Sequence, residues 1–173
     1  MIRTLILSFL LFAFVLSTKA QSISGIQDAA HEFALANLNE DYETLIKFTY
    51  PFVLEKSGGK AALKKALEDS YDLLTIRGMK MESYDVGEPI KSTHTSGEVH
   101  ALVPVTSKMA VPNGEIITHI TLIAVSKDSS DEWYFIDATN LEPKTIHNYL
   151  PTWDYTLGLT FESSKKFIAK RSE

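Results

Sequence analysis

Apolar positions change their period once along this chain, near residue 79. Upstream they recur at three- and four-residue intervals, the spacing of one helix face; downstream they alternate, the spacing of a half-buried strand. Ile26, Ala29, Ala30, Phe33, Ala36 and Asn37 share a stripe, predicting a first helix capped at Ser24 with Gln27 three residues on. Asn39 or Asp41 then caps a shorter helix with Tyr42, Leu45 and Ile46 inward, ended by Thr49-Tyr50-Pro51. Phe52-Val53-Leu54 reads as a short edge strand, because proline is tolerated at sheet edges. Ser57-Gly58-Gly59 turns into a third helix, with Leu63, Ala66, Leu67, Ser70, Tyr71 and Leu74 in register and Gly78 placed to stop it. Gly58-Gly59 is a plain turn in preference to a phosphate cradle, since no P-loop pattern surrounds it.

From Met79 to Val86 the chain reads as a strand, interrupted at Gly87-Glu88-Pro89 and continued over Ile90 to Thr93. Thr95-Ser96-Gly97 turns into a strand over Glu98–Val111, and Glu115 to Ser126 returns after Asn113-Gly114. With Asn-Gly as a two-residue loop, Val111 faces Ile116, Val105 faces Leu122 and Val103 faces Ala124. Directly opposed residues share a face. One surface is therefore apolar (Val99, Ala101, Val103, Val105, Ile120, Leu122) and expected under the helices. The other mixes His100, Leu102, Thr106, Lys108, His119, Ile123 and Val125. It is too apolar for a wet face and suits a homodimer contact, with Leu102, His119, Ile123 and Val125 as interface residues. Glu132 to Ala138 closes the sheet, and the carried register puts Trp133, Phe135 and Asp137 on the inner side.

The ends are read differently. Arg3, the apolar run from Leu5 to Leu16 and small residues at Thr18 and Ala20 predict a signal peptide over residues 1–20, cut before Gln21; an uncleaved anchor is the alternative. The protein is thus expected to be exported, periplasmic or secreted, with its domain over 22–140. Residues 141–173 form a C-terminal extension. Pro143 starts a short helix there, and Trp153, Tyr155, Leu157, Leu159 and Phe161 alternate as a strand would. That segment adds an edge strand, closes the mouth of the fold or reaches across a dimer. Ser163 to Glu173 reads as frayed.

Composition narrows the chemistry. Of 173 residues none is cysteine, which excludes disulfides, thiol catalysis and thiolate zinc sites. A net charge of −5 argues against nucleic acid or an anionic membrane surface as partner once the signal peptide is gone. His94, His100 and His147 lack metal-ligand spacing, and no nucleophile elbow supports a hydrolase triad. No metal and no cofactor is expected.

Helix, short helix, short strand, a third helix after Gly-Gly, then an antiparallel meander ending in Trp133-Tyr134-Phe135-Ile136-Asp137: this order over residues 24–140 resembles the nuclear transport factor 2-like superfamily. The resemblance implies an α+β cone, three N-terminal helices on a strongly curved mixed or antiparallel sheet around an internal cavity. It is most similar to exported bacterial members without known chemistry. Enzymes of the superfamily use a pocket Asp or His base with a Tyr or second acid; no such residue is carried over here.

Three functions follow. The first is a non-catalytic binding or assembly module holding a small apolar or amphipathic ligand. Its cavity is expected to be lined by Tyr42, Tyr50, Tyr71, Ser107, Thr118, Trp133 and Phe135. The second is a cofactor-free lyase or isomerase abstracting a proton beside a carbonyl. Its base would be Asp137, with its pKa raised beside Trp133 and Phe135; the alternative role for Asp137 is to accept backbone N–H groups in the turn Asp137-Ala138-Thr139-Asn140. The third is a homodimerising module using the outer sheet face. His31, off the helical stripe, is a surface histidine in preference to a pocket base.

Overall fold

The structure, a computed structural model, describes residues 17–127, 130–139, 141–158 and 164–170, and for residues 17–24 the backbone alone. The fold is α+β: helices α1 (Ser17–Asn39), α2 (Tyr42–Lys47), α3 (Pro51–Lys56) and α4 (Lys60–Ile76), then strands β1 (Lys80–Val86), β2 (Lys91–Thr95), β3 (Glu98–Val111), β4 (Gly114–Lys127), β5 (Tyr134–Asp137) and β6 (Ser164–Ala169). The six strands form one antiparallel sheet. Residues 1–16, most of the expected signal peptide, lie outside the described residues, and so do Leu159 and Phe161.

Two local expectations change. Ser24 does not cap α1, which already runs from Ser17; no proline or glycine between Thr18 and Ile23 stops it. Phe52-Val53-Leu54 is helical, not a strand, because Pro51 occupies the first turn of α3. There its missing N–H costs nothing and its fixed φ suits the helix. Asp41 caps α2, accepting from Thr44 N at 3.1 Å, and Gly78 ends α4 with φ +67°.

The β3–β4 hairpin carries the sheet. Its turn is Pro112-Asn113, with Val111 opposite Gly114, so Val105 meets Ile120 and Val103 meets Leu122. The expected pairing was two residues off, an even slip that leaves every side chain on its predicted face. Gly114 is not in the left-handed region. A Cβ there would overlap the Ile168 carbonyl of β6, so glycine is required by the close approach of that strand. β1 and β2 share one edge of β3, and β5 and β6 share the far edge of β4. Ser164–Ala169 is thus an added strand where fraying was expected. A bulge between Met81 and Ser83 switches the parity of β1, so Met81, Tyr84 and Val86 all join the helix-facing core.

Both faces of the sheet are buried in its near half, the part of the hairpin that holds residues 100–105 and 122–126, away from the Pro112-Asn113 turn. On one, Ile26, Ala30 and Ala34 of α1 cover Ala101, Val103, Val105, Leu122 and Ala124. Phe33, Phe48, Tyr84 and Phe135 fill the space between: Phe33 lies 5.1 Å from Phe135, 6.1 Å from Tyr84 and 6.3 Å from Phe48, centroid to centroid. The hollow expected between helices and sheet is therefore occupied by side chains at this point. Helix α4 buries no residue completely; it leans on α2 through Tyr71 against Tyr42, and Tyr71 donates to the Asn37 carbonyl of α1 at 3.1 Å. On the opposite face, Leu141, Ile146, Leu150, Trp153 and Leu157 cover Leu102, Ile123 and Val125. Residues 141–157 are an integral layer, folded as turns and two short 3₁₀ segments, Ile146–Asn148 and Tyr155–Leu157.

Candidate functional site

A broad opening lies at the edge of the helix-covered core. It is a groove of about 660 Å³ between α1, α2, α3 and the residues leading into β5. Ala29, Ile46, Phe48, Leu54 and Trp133 give it an apolar floor, while Asp28, Glu32, Glu43, Asp131 and Glu132 outnumber Lys47 and Lys60 around it. Local sequence explains the shape. Gly25 lets α1 approach the Trp133 indole, since a Cβ there would lie 3.3 Å from Nε1. The short α2 and the Pro51 start of α3 turn the chain away from α1, and a backbone bond from Phe135 N to the Phe48 carbonyl (2.7 Å) ties that corner to β5. Lys47 Nζ reaches Glu32 at 3.4 Å, an exposed and weak pair.

A second feature is polar and buried. Glu98 at the start of β3 accepts from Tyr50 Oη at 3.0 Å and from Thr152 Oγ1 at 2.6 Å, and His100 Nε2 lies 3.2 Å away. Burial alone would raise the Glu98 carboxyl, but the hydrogen bonds from Thr152, His100 and Tyr50 together outweigh it and hold the group below its usual range. Burial, then the hydrogen bond to Glu98 and its charge, pushes the Tyr50 phenol up to about 12. His100 is fully buried and stacks on Trp153, with centroids 6.1 Å apart and planes 10° from parallel. Its Nδ1 and the Trp153 Nε1 have no protein partner. Two further bonds hold the same segment: Thr93 Oγ1 to Asp154 (2.8 Å) and Lys91 Nζ to the Leu157 carbonyl (3.2 Å). The arrangement is a clasp joining α3, β2 and β3 to the C-terminal layer. With the imidazole sealed from solvent, only the Glu98–Tyr50 side of it borders open space, a smaller hollow shared with Tyr134.

The residues expected to line one cavity do not converge. Trp133 lines the groove, and Phe135 is packed in the aromatic core. Tyr50 belongs to the opposite core. Tyr42 and Tyr71 meet edge to face, 5.7 Å between centroids, where α2 touches α4. Ser107 and Thr118 face each other, half-buried, in the far half of the hairpin. Asp137 is exposed and accepts from Thr139 N at 2.7 Å and from the Thr139 hydroxyl. Its carboxylate therefore serves the turn, and the burial expected beside Trp133 and Phe135 is missing. Leu102, Ile123 and Val125 are buried by the chain's own C-terminal layer, which corrects their reading as an intermolecular contact. His119 is exposed and 2.9 Å from Thr106 Oγ1, and His31 is exposed.

Glu98, His100 and Thr152 were missed as a group. The one available signal was Glu98 and His100 two residues apart on a strand, hence on one face; nothing marked Thr152 as their partner. Among the described residues no three His, Asp or Glu side chains converge as metal ligands, and no helix is long and apolar enough to cross a membrane. Comparison of the chain with family models, with curated proteins and with solved structures finds no match.

Proposed function

We propose that the protein is an exported, non-catalytic binding module that holds a small apolar or amphipathic ligand in the groove between α1, α2, α3 and the approach to β5. The observation that carries this reading is the groove itself. Its volume of about 660 Å³ falls within the range of small-molecule sites. An aromatic and aliphatic floor under a ring of charge suits a molecule with one greasy and one polar side. Export is supported by Arg3 and the apolar run after it. Kinship with the nuclear transport factor 2-like superfamily belongs to the same proposal, supported by the order of elements and by helices packed on one sheet face. The packed aromatic core moves the ligand from the interior of a cone to the groove at its edge. The proton-abstraction reading has lost its base, because Asp137 is turned to solvent. A homodimer through the near half of the outer face has lost its surface.

Trp133 reports on the groove, and a Trp153→Phe background silences the other indole. An uncharged alkyl glycoside, titrated below its micelle concentration, is expected to change Trp133 fluorescence saturably. Leu54→Asp, placing a charge on the floor, is expected to weaken that binding about tenfold or more. A linear, unsaturable response, or equal binding by Leu54→Asp, would overturn the proposal.

A further inference from the structure

On the other side of the Pro51 corner, the Glu98–Tyr50 hydrogen bond opens onto a hollow of about 240 Å³. It is lined by the aromatic residues Tyr50, Phe52 and Tyr134, by the carboxylates Glu98 and Glu55, and by a single cation, Lys127. We propose that this hollow binds an organic ammonium group.

The argument rests on shape and charge together. The Tyr50 and Tyr134 rings meet at 70° with centroids 6.3 Å apart, forming an aromatic corner. Aromatic faces carry negative charge density, which attracts a cation most where water is excluded. Phe52 already shows that preference, with Lys56 Nζ 5.3 Å from its centroid. The Glu98 side chain is 12 % exposed, and two of its three partners are neutral hydroxyls. Among the described residues no lysine or arginine forms an ion pair with Glu98 or Glu55. A carboxylate met by hydrogen bonds rather than by a counter-charge leaves its field directed into the hollow. Two carboxylates against one lysine leave the lining net negative, which disfavours an anion. A small hard metal ion finds aromatic walls where it needs oxygen ligands. A weakly hydrated organic cation gains from both the rings and the carboxylate. The hollow is smaller than a drug-sized site, at roughly 300 Å³ or more, and so fits a headgroup. It shares Pro51 and Tyr134 with the groove, yet neither site requires the other to be occupied.

Choline and its uncharged isostere 3,3-dimethyl-1-butanol separate charge from shape. Titrations of the full chain, followed by calorimetry and by NMR of the tyrosine ring protons, are expected to show choline binding saturably and about tenfold or more tighter than the isostere. Glu98→Gln is expected to abolish that preference. Because Glu98 also holds the C-terminal layer, Phe52→Leu and Glu55→Gln serve as second variants. Phe52→Leu keeps apolar bulk while removing a ring face, and is expected to weaken choline about threefold or more; Glu55→Gln removes a rim charge and is expected to weaken it less. Equal binding of choline and isostere would identify a merely apolar hollow and overturn the proposal. So would unaltered choline affinity in both Phe52→Leu and Glu55→Gln. Either result leaves the alkyl glycoside measurement on the groove standing, and the converse also holds.

Discussion

The two faces of the β3–β4 hairpin are closed by different means. The helix side is shut mainly by packing, with no buried side-chain clasp among the described residues: alanines of α1 lie against Ala101, Val103 and Leu122, and four aromatic rings take up the remaining space. The other side is shut by packing plus a polar clasp, with Glu98, Tyr50 and Thr152 hydrogen-bonded around a His100 that is buried against Trp153, and with Thr93 and Lys91 holding the segment's far end. A helix arrives with its hydrogen bonds made, so its apolar stripe is enough. Residues 141–157 form turns and short 3₁₀ segments; an irregular layer must be positioned by side-chain bonds, and its own polar groups need partners when buried.

Mutations break or sharpen this contrast. Ile123→Asp has the largest expected effect. Ile123 is fully buried under the C-terminal layer, so an unpaired charge there should unfold the monomer instead of splitting a dimer, costing roughly 4 kcal/mol or more; circular dichroism together with light scattering reads the difference. Phe135→Ala empties the aromatic cluster on the helix side and should cost about 3–5 kcal/mol in denaturant unfolding. Leu150→Ala, fully buried on the clasp side, should cost about 2–5 kcal/mol. If the faces form one cooperative unit, both variants keep a single transition. A separate early transition in Leu150→Ala alone would show that the C-terminal layer detaches by itself.

Glu98→Gln comes next, at about 1–3 kcal/mol near neutral pH, because buried donors lose a charged acceptor. Its pH dependence has a definite sign. A carboxyl held below its usual value in the fold stabilises above its unfolded pKa, and that contribution disappears as pH falls through the depressed folded value. The wild-type advantage over Glu98→Gln should therefore be full at neutral pH and close in acid, below the ordinary carboxylate range of about 4. A gap that stays constant through that range would contradict an ionised Glu98. Lys65→Met, which breaks the exposed Lys65–Asp69 pair on α4, should leave the thermal midpoint unchanged, since exposed pairs contribute little.

Much of the helix side was legible beforehand. The stripe from Ile26 to Ala36, the inward pair Leu45 and Ile46, and the alternation from Val99 to Val105 all state which side of an element is greasy. The clasp side was half legible. Leu102, Ile123 and Val125 announced a second apolar face, but a second copy of the chain was cast as its cover. Leu141, Ile146, Leu150 and Trp153 were present in the same sequence to do that work. Ile146, Leu150, Trp153 and Leu157 recur at helical intervals, but Pro151 interrupts the run and the segment folds as turns and short 3₁₀ pieces, so its spacing did not reveal it as a cover. In the candidate site, Trp133, Asp137 and the tyrosines were all assigned to a cavity that the Phe33, Phe48 and Phe135 rings occupy, and Trp133 lines the groove at the edge instead.

By itself the sequence determined most of the elements and the parity of the β3–β4 hairpin. Alternation fixes side-chain direction within a strand, and an even slip of register, as at Pro112-Asn113, preserves it. Only the tertiary structure decided what covers each face and where the openings fall. Apolar attraction is non-directional and does not choose among possible covers. The choice here is completed by hydrogen bonds between residues 48 to 66 positions apart, such as Tyr50 with Glu98 and Lys91 with Leu157, and such pairs exist only once the chain has closed on itself.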